Sequence, residues 1–202
     1  MDGAEIELVL FDLGGVLVEF GGVDPMMELS GIDDDEELWR RWLTCRWVRE
    51  YERGRCDANA FAAGVVEDWK LTIAPAEFLE SFAGWAAGVW PGAEVLVAEV
   101  RARVPTGCLS NTNALHWDRN FARWPILGAF DYSFLSHELG ALKPDREVYE
   151  RVAAQLPVAR DRVLFLDDNA LNVDGAIEAG FRATRVRGVD EARAALVDAS
   201  VL

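Results

Sequence analysis

Two unbroken apolar runs, Leu8-Val9-Leu10-Phe11 and Val163-Leu164-Phe165-Leu166, each stop at an aspartate. Apolar runs without polar alternation are strands buried on both faces, the habit of parallel sheets covered by helices. The carboxyl edge of such a sheet opens into a crevice, and a charged side chain there avoids the cost of unpaired burial in the core. Asp12 is followed by Leu13-Gly14-Gly15, and Asp167 by Asp168-Asn169. Taken singly, either feature would serve equally well as a strand-end turn or a helix cap.

The rest of the chain fits the same plan. A first strand is predicted near residues 6–12. From about 24 to 88 the apolar residues recur at helical spacing, as in Leu38, Trp39, Trp42, Leu43 and Trp47, then Phe61, Val65, Val66 and Trp69, then Phe78, Phe82 and Trp85. No convincing strand is visible there. Beyond Pro91 a βα alternation is predicted: helix 94–103, a strand ending at Leu109-Ser110, helix 113–123 and strand 131–135. Then come helix 145–155 with Pro144 in its first turn, strand 162–166, a helix capped by Asn169 and stopped by Gly180, and strand 182–186. The expected fold is α/β, a doubly wound parallel sheet with right-handed crossovers and an inserted all-helical cap. Residues 1–20 and 89–202 would form the core domain and 21–88 the cap.

Charge narrows the function. Over 202 residues the formal net charge is -15, which argues against nucleic acid and anionic membranes as partners. An anionic substrate would need a local positive site against that field. The first residues lack a basic n-region and a long apolar stretch, so no signal peptide or membrane span is expected. Cys45, Cys56 and Cys108 lack paired spacing and read as reduced thiols of a cytoplasmic protein. With only two histidines, His116 and His137, a multi-histidine metal cluster is excluded. Monomer and homodimer both stay open.

Four polar groups fall at predicted strand ends or just before a helix: Asp12, Ser110-Asn111, Lys143 and Asp167-Asp168. In a parallel sheet those ends share one edge. Three converging carboxylates would repel without a cation, and a hard oxygen donor set points to Mg²⁺. Lys143 fits a lysine that neutralises a phosphoryl group in transfer. Ser110 and Asn111 offer hydrogen bonds to its oxygens.

The segments Phe11-Asp12-Leu13-Gly14-Gly15-Val16, Leu109-Ser110-Asn111-Thr112-Asn113, Lys143-Pro144 and Phe165-Leu166-Asp167-Asp168-Asn169 together resemble the haloacid dehalogenase-like hydrolases. The resemblance covers essentially the whole chain and is nearest to bacterial sugar-phosphate phosphatases. It implies an Mg²⁺-dependent phosphatase of a small phosphorylated metabolite, with Asp12 as nucleophile forming an aspartyl-phosphate. Asp12, the Gly14 carbonyl, Asp167 and Asp168 would hold Mg²⁺, and Lys143, Ser110, Asn111 and Gly15 would bind the phosphate. Specificity would lie in the cap, where Glu19, Arg46, Trp47 and Arg49 are the candidates. The chain departs from the usual pattern at Gly14, where most phosphatases of this type carry a general-acid aspartate. A missing general acid costs about 10²–10⁴ in rate. Two other readings stay open: a metal-free hydrolase of haloacids, which also lacks that aspartate, and a catalytically weak phosphometabolite-binding module.

Overall fold

The computed structural model describes residues 5–202; residues 1–4, for which no leader is expected, lie outside the described residues. Strands β1 (Leu8–Phe11) and β2 (Val18–Phe20) open the fold. Five helices follow: α1 (Val23–Ser30), α2 (Asp35–Thr44), α3 (Arg46–Glu52), α4 (Ala58–Trp69) and α5 (Pro75–Ala83). The chain continues through β3 (Ala86–Val89), α6 (Ala93–Arg101), β4 (Thr106–Ser110), α7 (Ala114–Arg119), β5 (Tyr132–Leu135) and α8 (Ser136–Leu139). It closes with α9 (Arg146–Ala153), β6 (Val163–Asp167), α10 (Ala170–Glu178), β7 (Arg182–Arg185) and α11 (Gly188–Asp198).

Five parallel strands form the sheet in the order β5-β4-β1-β6-β7. The two apolar runs are central neighbours, with Phe11 beside Leu166. Their pleat sends Val9, Phe11, Leu164 and Leu166 to one face, against Leu96, Val97 and Val100 of α6 and Leu196 of α11. Leu8, Leu10, Val163 and Phe165 go to the other, against Val148, Tyr149 and Val152 of α9. Helices thus cover both faces, and the doubly wound α/β fold is the one expected. The weak strand β4 is explained by packing: a Cβ on Gly107 would fall 2.9 Å from Leu10 Cδ2 and 3.0 Å from Tyr132. Only glycine lets the neighbouring side chains close over that strand.

Helices α1–α5 enclose a separate aromatic core around Trp42, Phe61, Phe82 and Trp85. Trp42 lies 5.6 Å from Trp85 and 6.0 Å from Phe82, centroid to centroid. Asp34 and Asp57 cap α2 and α4 by accepting from Glu37 N and Ala60 N.

Three details differ from the expected elements. Ala86–Val89 is a strand, antiparallel to Val18–Phe20; an Ala-Ala-Gly-Val stretch carries little strand signal, and its partner is far away in sequence. The helix expected over 113–123 is α7 followed by a separate 3₁₀ turn at Phe121–Arg123. Pro144 stands before the N-cap Asp145, outside α9, after a cis Lys143–Pro144 peptide. Asp145 N donates to Leu142 O at 3.0 Å, so the proline sits in a tight turn ahead of the helix. Among the described residues, no helix is long and apolar enough to cross a membrane.

Candidate active site

The ladder between β1 and β6 brings Asp12 and Asp167 out of the sheet side by side, Asp12 N donating to Leu166 O at 2.8 Å. Lys143 arrives from the loop after α8, buried to 1 % exposure. Its Nζ lies 2.9 Å from Asp12 Oδ1, 2.6 Å from Asp167 Oδ2 and 2.9 Å from the Leu109 carbonyl. Its backbone is fixed as well: Asn111 Nδ2 donates to Lys143 O, and Lys143 N donates to Asn111 Oδ1, both at 2.9 Å.

Asp167 is fully buried and held on all sides. Besides Lys143, it accepts from Asn169 N at 2.8 Å and from Asn172 Nδ2 at 3.0 and 3.1 Å. Asp168 lies in the opening, seated against Gly15. A Cβ on Gly15 would come 2.3 Å from Asp168 Oδ2, and Gly15 has φ +76°, so this position needs glycine twice over. Carboxylate oxygens of Asp12, Asp167 and Asp168 all lie within 4.8 Å of one another.

Electrostatics follow from burial. Burial pushes the Asp12 carboxyl up, Lys143 opposes the rise, and Asp167 and Asp168 add to it. For Lys143, burial pulls the ammonium down, but Asp12 and Asp167 outweigh it and hold it above the usual lysine range. Burial first, then Asp167, raise Asp168 to about 6, against Lys143 and Arg187. Three acids against one buried lysine leave an excess of two negative charges when all are ionised. An all-oxygen donor set with that excess suits a hard divalent cation such as Mg²⁺.

These groups floor a cavity of about 520 Å³ that includes Ser110, Asn111 and Gly14. Its roof comes from the helical insertion, through Met27, Trp39, Trp42 and Glu52. The predicted residues Asp12, Gly14, Gly15, Ser110, Asn111, Lys143 and Asp168 all line this one space, with Asp167 directly beneath Lys143. Two of the residues expected at the phosphate carry structural duties. The side-chain amide of Asn111 grips the Lys143 backbone through its oxygen and one N–H, so it also positions the lysine. Gly15 N donates to Val18 O at 2.9 Å and its carbonyl accepts from Gly188 N at 2.8 Å, so Gly15 makes room for Asp168 and its N–H is not free for substrate.

The cap candidates are displaced entirely from the cavity lining. Glu19 is exposed on β2, Arg46 stacks over Trp47 at 5.3 Å, and the Trp47 ring fills the space beside Gly64. Arg49 pairs with Asp145 at 2.6 Å, joined there by Arg53. The residues that sequence reasoning missed are Asn172, which orients Asp167, and Glu52 and Trp42, which face the opening. Asn172 lies near Asp167 in sequence and could have been suspected; nothing local marks the other two.

Comparison with known proteins places the family and the fold. The family model for haloacid dehalogenase-like hydrolases matches residues 6–180. A phosphatase of Mycobacterium tuberculosis is 28% identical over 187 residues, 88% of this chain and 86% of that protein. The D-ribitol-5-phosphate phosphatase of Bacteroides thetaiotaomicron is 25% identical over 185 residues, covering 87% and 89%. A mutant HAD family enzyme from the same organism, in complex with magnesium and inorganic phosphate, superposes with TM-score 0.69 at 21% identity, covering 90% of this chain and 94% of that one. The L-2-haloacid dehalogenase of Xanthobacter autotrophicus with chloropropionic acid covalently bound gives 0.63 at 21% identity, covering 98% and 84%.

Proposed function

The chain belongs to the haloacid dehalogenase-like hydrolases, and from that premise we propose that it is an Mg²⁺-dependent phosphatase of a small phosphorylated metabolite. The carrying observation is the buried Lys143, bound to both Asp12 and Asp167, with the Asp168 carboxylate within 4.8 Å of both acids. A halide-releasing site has no use for three acids around one cation position. The phosphatase names of two relatives, one of them for a polyol phosphate, support the same reaction class.

In this reading Asp12 attacks phosphorus through a carboxylate oxygen, forming an aspartyl-phosphate as the bond to the leaving oxygen breaks. Lys143 holds the attacking carboxylate and offsets charge on the phosphoryl group. The Ser110 hydroxyl donates to a phosphoryl oxygen. Asn111 and Asn172 keep Lys143 and Asp167 in place, so the charges need no rearrangement during transfer. Asp12, the Gly14 carbonyl and Asp168 would hold Mg²⁺, with Asp167 behind them; when bound, the ion supplies further positive charge for the phosphoryl oxygens. The apolar roof of Trp39, Trp42 and Met27 excludes water around the transfer.

Phosphate release from sugar, polyol, acyl and nucleotide phosphates, with Mg²⁺ and with chelator, tests this reading. The expected result is metal-dependent release that falls at least about 10³-fold in Asp12→Asn. Release that survives either chelation or that substitution overturns it.

A further inference from the structure

Gly14 leaves the floor of the site without a group to protonate the leaving oxygen. The roof supplies one. Glu52, in the last turn of α3, is buried to 8 % exposure and lines the same cavity as Asp12 and Lys143. The Trp42 side chain lies near enough to its carboxyl to oppose the rise that burial causes, yet its Oε2 has no partner in the protein although it is buried. A buried carboxyl oxygen without a partner is costly and calls for a donor or acceptor brought by a ligand. The neighbouring arginines do not satisfy it, because Arg49 and Arg53 on either side both turn to Asp145. That anchorage ties α3 to the segment two residues beyond Lys143, so Glu52 is held against the catalytic floor by the helix that carries it.

We propose that Glu52 is the general acid of this enzyme, donating its proton to the oxygen that leaves phosphorus and then taking one from the attacking water. The proposal rests on the phosphatase reading. Trp39, Trp42 and Glu52 of the cap line the same cavity as Asp12, and in-line displacement puts the leaving oxygen on the side of phosphorus away from the attacking carboxylate, toward that roof. In the first step the Asp12–phosphorus bond forms, the phosphorus–oxygen bond to the leaving group breaks, and the Glu52 proton passes to the departing alkoxide. In the second, water adds to phosphorus, Glu52 accepts its proton, and the Asp12–phosphorus bond breaks. Glu52 and Asp12 return to their starting states, and alcohol and phosphate are released.

The charge environment suits that duty. Burial raises Glu52 to about 7, while Lys143, the Trp42 indole and Arg49 hold it from rising further, which places it where a general acid works near neutral pH. Asp12, Asp24, Asp35, Asp168 and Arg187 line the same cavity, as does His116, whose Nε2 is engaged with Phe82 O at 2.6 Å. Position 14, by contrast, has room: the nearest atom to a Cβ there is Phe20 Cβ at 3.9 Å.

The test compares Glu52→Gln with the wild-type enzyme, both with Mg²⁺, on an alkyl phosphate such as glycerol 3-phosphate and on p-nitrophenyl phosphate. The poor leaving group needs a proton and the good one does not. Glu52→Gln should therefore lower kcat on the alkyl phosphate about 10²–10³-fold, lower it less than about tenfold on the aryl phosphate, and abolish the fall in alkyl-phosphate rate above neutral pH. The double variant Gly14→Asp/Glu52→Gln should recover alkyl-phosphate turnover at least about tenfold over Glu52→Gln. Melting curves confirm that each variant is folded. Equal losses on both substrates, a change in KM alone, or no rescue by the double variant overturns the role of Glu52 while leaving the phosphatase reading intact. A wild-type enzyme that releases phosphate from neither compound, nor from the wider panel, overturns both.

Discussion

Gly15 has a left-handed backbone and no room for a Cβ, which would meet Asp168 Oδ2 at 2.3 Å. Gly15→Ala should displace Asp168, cost about 1–2 kcal/mol of stability from backbone conformation alone, and lower turnover at least about 10²-fold. Gly14→Ala should fold and turn over nearly normally, since its surroundings are open. Phosphate release and melting of the two variants, side by side, check the contrast. Glu52 makes a second residue-scale prediction. Its carboxyl is raised by burial from 4.5 to about 7, so the folded state prefers it protonated. The stability this gives is fully present below the ordinary glutamate value and is lost as pH rises through about 7. Glutamine does not titrate. The metal-free Glu52→Gln protein should therefore gain on the wild type as pH rises from about 4.5 to 7, by on the order of 3 kcal/mol at most, and level off above that. A melting-temperature difference that stays constant from pH 5 to 8 would contradict the buried, unpartnered carboxyl.

At the scale of elements, cap and core meet through Phe82 stacked on His116, centroids 4.3 Å apart, and through one half-buried ionic cluster. Asp145, the N-cap residue of α9, receives Arg49 and Arg53 from α3. Both arginines are half-buried, so the pairs carry more than exposed ion pairs do, and removing their shared acid strands two cations. Asp145→Asn should speed amide exchange in α3 while leaving α10 unchanged, and should raise KM through a loosened roof. Exchange in α3 identical to the wild type would show that the aromatic core around Trp42 alone seats the helix. Aromatic packing gives the insertion its own core, while Arg49, Arg53 and Asp145, together with Phe82 on His116, join it to the sheet domain.

At the scale of the molecule, charge governs both stability and encounter. The site gathers three acids within 4.8 Å in a protein whose net charge is -15. A cation bound there relieves local repulsion as well as the general field. Saturating Mg²⁺ should raise the melting temperature by several degrees, as about 2.7 kcal/mol is available at a hundred times Kd and about 2–4 °C accompanies each kcal/mol at this size. Asp168→Asn should lose most of that rise, and calorimetry with and without chelator measures it. An unchanged melting temperature with Mg²⁺ present would remove the cation from the reading.

The sheet and its polar edge can be read from the amino-acid order alone. Two unbroken apolar runs had to be buried strands, and polar residues at strand ends converge in any parallel sheet, because the pleat and the shared strand direction leave them one exit. The acids were legible for that reason, and Lys143 through its place before Pro144 at a helix start. Contacts between elements remote in sequence cannot be read that way. The pairing of Ala86–Val89 with Val18–Phe20, the grip of Asn111 on the Lys143 backbone and the exposure of Glu52 to the cavity leave no periodic trace. Local periodicity reports which face of an element is buried. It says nothing of which partner buries it, and that choice is made by packing of the whole chain.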